Sequence, residues 1–204
     1  MIKDVFDNMA GNYTDNKSIV KKLWFEIETN YSEHGRYYHT LHHLENMYNE
    51  LVECRGNIKQ WDAVLFSLFY HDIIYKATRK DNEEKSAELG VKRLTEVDIP
   101  TFIIDTCFEA IIATKSHNLS SNHDINLFTD ADLSVLGSDW ETYTAYYKAV
   151  RKEYSIYPDF LYNPGRKKVL LHFLYMENIF KTDFFREKYE NIARDNISKE
   201  LNLL

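Results

Sequence analysis

The stretch AVLFSLFYHDIIY, residues 63 to 75, is apolar almost throughout and is interrupted mainly by one doublet, His71 and Asp72. A helix that is hydrophobic on every face belongs in a protein interior, so the doublet is carried inward with it. A carboxylate in such surroundings has a large desolvation cost unless something neutralises it. Asp72 therefore calls for a metal ion or for a nearby lysine or arginine.

Apolar residues at three- and four-residue spacing continue on both sides of this stretch, which is the helical period. The pattern gives helices at about 16–31, 41–54, 58–75, 81–97, 100–115, 126–136, 139–154, 159–180 and 183–202. Only three prolines and six glycines interrupt the chain, strand signals are weak, and there is no internal repeat. Pro100 suits a first helical turn, Asp159 and Asp183 read as N-caps, and Asp81 leads an acidic first turn that complements the helix dipole. SHNLSSNHD (116–124) and SIYPD (155–159) read as short connecting loops. With no linker dividing them, residues 1–204 are expected to form one all-α bundle.

Composition narrows the function classes. A net charge of -7 argues against broad contact with nucleic acid, which needs a basic stripe. The N-terminal MIKDVFDNMAGNY lacks the apolar run of a secretory signal, and no stretch has the apolar length of a membrane span. Cys54 and Cys107 lie far apart in apolar segments and read as reduced core thiols. A soluble, cytoplasmic protein is the expectation, and a homodimer is as compatible with the sequence as a monomer.

Two other stretches supply partners for the doublet. RYYHTLHHLENM (36–47) places His39, His42 and His43 within five positions, and FTDADLSVLG (128–137) offers Asp130 and Asp132. A single helical histidine is commonly just a satisfied or exposed one. Imidazoles and carboxylates drawn from three segments to one point, however, make a divalent metal site.

Together these residues resemble the HD-domain metal-dependent phosphohydrolases, whose signature is a His, a His–Asp doublet and a distant Asp on a helical bundle. YHTLHH and IIATKSHN (111–118) are also similar to elements of the cyclic-nucleotide phosphodiesterases, a related branch. A subgroup of HD phosphohydrolases of about this length is resembled over nearly the whole chain, through FYHDIIY, DNEEKSA, DADLSVLG, VRKEY, GRKKVLLHFL and ENIARDNISKEL. The resemblance implies an HD-type fold in which His43, His71, Asp72 and Asp132 bind the metal, with Asp132 chosen over Asp130. It implies that His39 donates a proton to the leaving group and that His117 faces the metal centre or the substrate phosphate. His42, between His39 and His43, is expected to point elsewhere.

The expected activity is hydrolysis of a nucleotide or another small phosphoester. Water made acidic by the ion would attack, with Asp72 or Asp132 taking its proton. The sequence does not choose among Mn, Mg, Zn, Ni, Co and Fe. Arg36, Arg166 and Lys115 are candidate substrate contacts, whereas Lys167 and Lys168 read as solvated. Tyr38, Tyr70 and Tyr75 adjoin the ligands and are candidates for stacking on a base. Two other readings are a cyclic-nucleotide or cyclic-oligonucleotide phosphodiesterase and a metal-dependent nucleotide sensor without turnover. A helical interaction protein without metal is a further one.

Overall fold

In the computed structural model, which describes residues 1–204, the chain forms ten α-helices and no strand. They are α1 (Ile2–Gly11), α2 (Lys17–Tyr31), α3 (Leu41–Glu53), α4 (Trp61–Tyr70), α5 (Asn82–Thr95), α6 (Thr101–Ala113), α7 (His123–Leu133), α8 (Trp140–Glu153), α9 (Asp159–Tyr175) and α10 (Asp183–Leu201). Short 3-10 turns follow α3 at Arg55–Asn57 and α7 at Ser134–Gly137. No helix is long and apolar enough to cross a membrane.

The centre is α4. Every residue from Ala63 to Tyr70 is buried, and α3, α5, α6 and α7 pack around it, as its uniformly apolar sequence requires. One continuous core runs from α1 to α10, and both cysteines lie inside it as free thiols. Helix α1, absent from the sequence reading, is short and carries three acids or bases in its first seven residues. Yet Ile2, Phe6 and Met9 recur at helical spacing and are buried, with the Phe6 ring edge-on to Phe69 at 5.0 Å.

Several element ends differ from the expected ones for identifiable reasons. Helix α4 stops at Tyr70 instead of 75 because side chains from elsewhere take over the main chain. Arg36 donates to the carbonyls of Asp72 (2.7 Å) and Ile73 (2.9 Å), while the Tyr31 hydroxyl accepts from the Asp72 amide and the Ser86 hydroxyl from the Ile74 amide. Helix α9 stops at Tyr175 instead of 180, since Arg194 donates to the carbonyls of Leu174, Met176 and Glu177. Glu190 then accepts from the Ile179 and Phe180 amides. Asp159 and Asp183 are first helical residues rather than caps; they pair with Arg151 and Arg186. The working side-chain caps are Asn16, Asn122 and Asp139, and Asn122 starts α7 three residues earlier than its apolar pattern indicates.

One glycine is required by packing. The Ser134–Gly137 turn lies against α10 so closely that a Cβ on Gly137 would overlap Tyr189. Gly137→Ala is therefore expected to destabilise the protein by about 1–3 kcal/mol, read as a lower midpoint in urea unfolding. An unchanged midpoint would mean that this turn yields freely.

Candidate metal centre and cavity

Asp130 and Asp132 are two residues apart on α7, so they leave opposite sides of the helix. The structure assigns them different tasks. Asp130 is fully buried and accepts from the Lys181 amide and from the amide and hydroxyl of Thr182, pinning the α9–α10 connection. Asp132 turns the other way, where it meets the histidines of α3 and α4.

His43 comes from the first turn of α3, and His71 is the residue that ends α4. Their Nε2 atoms are 3.2 Å apart, and His43 Nε2 is 3.2 Å from Asp132 Oδ1. His71 Nε2 lies 3.1 Å from Asp72 Oδ2 and 3.9 Å from Asp132 Oδ1. One ligand atom from each of His43, His71 and Asp132 falls within 4.8 Å of the other two. Asp72 stands at the edge of this triangle and also faces His39 Nε2 at 3.8 Å. The doublet thus sits on the turn after α4 rather than inside the helix, which frees both side chains to point the same way. No lysine or arginine pairs with Asp72, and its charged neighbours are these two histidines.

The donor set fits a divalent ion. His71 Nδ1 is 3.0 Å from the Leu68 carbonyl, so Nδ1 carries the hydrogen and neutral His71 presents a bare Nε2 lone pair. That lone pair faces two carboxylates and the Nε2 of a second imidazole, which accepts in one tautomer and donates in the other. Without a cation only a proton can reconcile them. Burial works against a charge on His71, yet Asp72 and Asp132 hold its pKa up to about 9. Burial likewise opposes ionised Asp132, but His117 and His43 keep its carboxyl well below the ordinary range. Ligand atoms about 2.1 Å from one ion stand about 3.0 Å apart in an octahedron and about 3.4 Å in a tetrahedron. The 3.1 and 3.2 Å separations here lie between those values, and the 3.9 Å from His71 to Asp132 exceeds both.

The segment before α3 is organised by Glu153, the last residue of α8. Its Oε1 accepts from the amides of Tyr37, Tyr38 and His39 at 2.8, 2.8 and 3.0 Å. Its Oε2 accepts from His39 Nδ1 at 2.7 Å and from the Tyr75 hydroxyl at 2.9 Å. Burial alone would raise this carboxyl, but His39 and the amides hold its pKa down to about 2. With Nδ1 committed to Glu153, His39 turns Nε2 toward Asp72. Its ring stacks on Tyr75, centroids 4.0 Å apart. Burial disfavours its protonation, yet Asp72 and Glu153 together raise its pKa. VRKEY belongs to the resembled segments, but no role was attached to Glu153. A buried glutamate closing the aromatic-rich YTAYYKAVRKEY was the available signal.

His117 Nε2 contacts Asp132 Oδ2 at 2.9 Å, and its backbone has φ 52°. A left-handed histidine is uncommon, and this one directs its ring at the cluster. His42 is 78% exposed on its side chain and stands apart, as expected.

A cavity of about 960 Å³ opens over the cluster, lined by His39, Asp72, His117 and Asp132 among others. Of the expected substrate contacts, Lys115 and Arg166 reach its wall. Lys115 pairs with Glu84, and Arg166 with buried Glu200 through two nitrogens at 2.7 and 2.9 Å. Arg36 is not on the wall. Its guanidinium lies behind the site, donating to the main-chain carbonyls of His39, Asp72 and Ile73. Tyr38 and Tyr75 line the cavity, whereas Tyr70 is buried in the core. Lys168, read as solvated, lies on the wall. Compared with family models, curated proteins and solved structures, the chain has no match in any of the three.

Proposed function

We propose that this chain is a metal-dependent phosphohydrolase of the HD type, acting on a nucleotide or another small phosphoester. The observation that carries the reading is the meeting of His43, His71, Asp72 and Asp132, two imidazoles and two carboxylates with no lysine or arginine among them, beneath a cavity of about 960 Å³ that Asp72 and Asp132 border. A divalent ion held there supplies an acidified water and offsets charge on the phosphoryl oxygens.

The protein's own groups then divide the remaining work. Asp72 and Asp132 both border the cavity, and one or the other accepts the proton of the attacking water. His117 steadies Asp132 by occupying its outer oxygen. His39 carries the leaving-group proton on Nε2 while Glu153 fixes the ring through Nδ1, and Asp72 and Glu153 together favour the protonated ring against burial. Tyr75 covers one face of that ring and keeps it from turning away.

The test is a panel of nucleotides and phosphoesters assayed with several divalent ions, comparing the parent with Asp72→Ala. Turnover by the parent and a loss of about a thousandfold or more in the variant are expected. Equal activity in the two would place any hydrolysis elsewhere and end the proposal.

A further inference from the structure

Helix α9 brings to the cavity a stripe of residues that the hydrolytic chemistry leaves unused. Leu161, Gly165, Lys168, Val169, His172 and Phe173 all line the wall, and their three- and four-residue spacing makes them one helix face. The stripe begins beside the cluster, because the Phe173 ring stands 6.3 Å from that of His117, which in turn contacts Asp132. Lys168 lies five residues earlier, about 7.5 Å along the helix axis. His172 stands between them, one turn from Lys168. Beyond both, the space around Gly165 is open, with no atom within 4 Å of where its Cβ would be.

Charge singles out the middle of this stripe. Arg79, Lys115 and Arg166 also line the cavity, but each is neutralised, by Asp81, Glu84 and Glu200 respectively, while Lys80, the wall's other lysine without an acid partner, belongs to the loop before α5 and not to this stripe. No acid pairs with Lys168. A phosphate seated at the cluster would leave this ammonium facing the cavity unneutralised, about one and a half turns along α9 from Phe173. We infer that Lys168 and His172 form a second anion subsite, so that the preferred substrate carries two phosphate groups, one at the cluster and one against α9. This rests on the hydrolase reading for the position of the first phosphate. A cavity of about 960 Å³ is at the upper end of the range for small-molecule sites and has room for such a ligand. Lys167, the adjacent residue, does not line the cavity and serves as the control.

Equilibrium titration tests the subsite without requiring turnover. Inorganic pyrophosphate and inorganic phosphate are titrated into the protein in the same excess of Mg²⁺ and the heats recorded. The parent is expected to bind pyrophosphate the more tightly. The double variant Lys168→Gln, His172→Gln is expected to weaken pyrophosphate binding about tenfold or more, the loss of a charge-assisted contact, and phosphate binding by less than about twofold. Lys167→Gln should alter neither. Both mutated residues are exposed, so an unchanged melting temperature is expected to confirm the fold. Undiminished pyrophosphate binding in the double variant, an equal loss in Lys167→Gln, or a parent that prefers neither ligand overturns the subsite. Failure of the hydrolase reading is seen separately, as absence of turnover in the parent or its persistence in Asp72→Ala.

Discussion

Asp132→Ala protein is expected to emerge from metal loading and desalting without a stoichiometric divalent ion. Asp132 is the one carboxylate that contacts both His43, at 3.2 Å, and His117, at 2.9 Å, and its removal leaves those two imidazoles without an anion and Asp72 as the sole carboxylate beside His71. Loss of a ligand should weaken binding beyond the 10- to 100-fold typical of losing a supporting partner, so a drop of at least about a hundredfold is the forecast. Elemental analysis of folded variant provides the measurement. Asp130→Ala supplies the contrast: it removes the clamp on Lys181 and Thr182, and should lower the melting temperature while folded protein still takes up metal. Full metal content in Asp132→Ala would remove the centre from consideration.

The second large effect concerns Glu153. Glu153→Gln leaves a side chain of the same shape but removes the anion that fixes the His39 ring and, with Asp72, favours its protonation. Hydrolysis of an alkyl phosphoester, whose leaving group needs a proton, is expected to slow by about a hundredfold or more. A p-nitrophenyl ester, whose leaving group departs unaided, should slow far less. Equal losses on both esters would assign Glu153 a purely architectural role. The same variant has a signature in acid. The folded-state pKa of Glu153, about 2, lies below its ordinary 4.5, so the folded chain binds fewer protons there than the unfolded chain. Its contribution, on the order of 3 kcal/mol, is complete above pH 4.5 and disappears as pH falls through about 2. The parent should therefore lose stability across that window, and the glutamine variant should show a flatter curve.

The fold was legible where burial is asymmetric and the apolar period regular. Helices α2, α3, α5, α6, α8 and α10 lie within a few residues of their expected limits. The sequence was less informative where distant side chains capture the backbone. Arg36 and Arg194 end α4 and α9 by donating to carbonyls, and neither arginine is near those ends in the chain. For the same reason Arg36, a candidate substrate contact by its place beside the histidines, is turned away from the cavity, its terminal nitrogens donating to three main-chain carbonyls. The cluster itself was readable because a His–Asp doublet in an apolar helix demands a counter-charge. The Glu153 role was not, since one carboxylate binding three consecutive amides 114 to 116 residues away is invisible to local pattern. Lys168, read as solvated, is exposed and also lies on the cavity wall, a placement decided by a lysine's neighbours rather than by its type.

Helix α9 buries only Tyr162, Arg166 and Leu170 of its seventeen residues and has Pro164 within it, while the histidine loop and the end of α4 are tied together by one guanidinium. Exchanges along the exposed positions of that helix should therefore cost the fold little, whereas loss of the one guanidinium would release the histidine loop and the end of α4 at once.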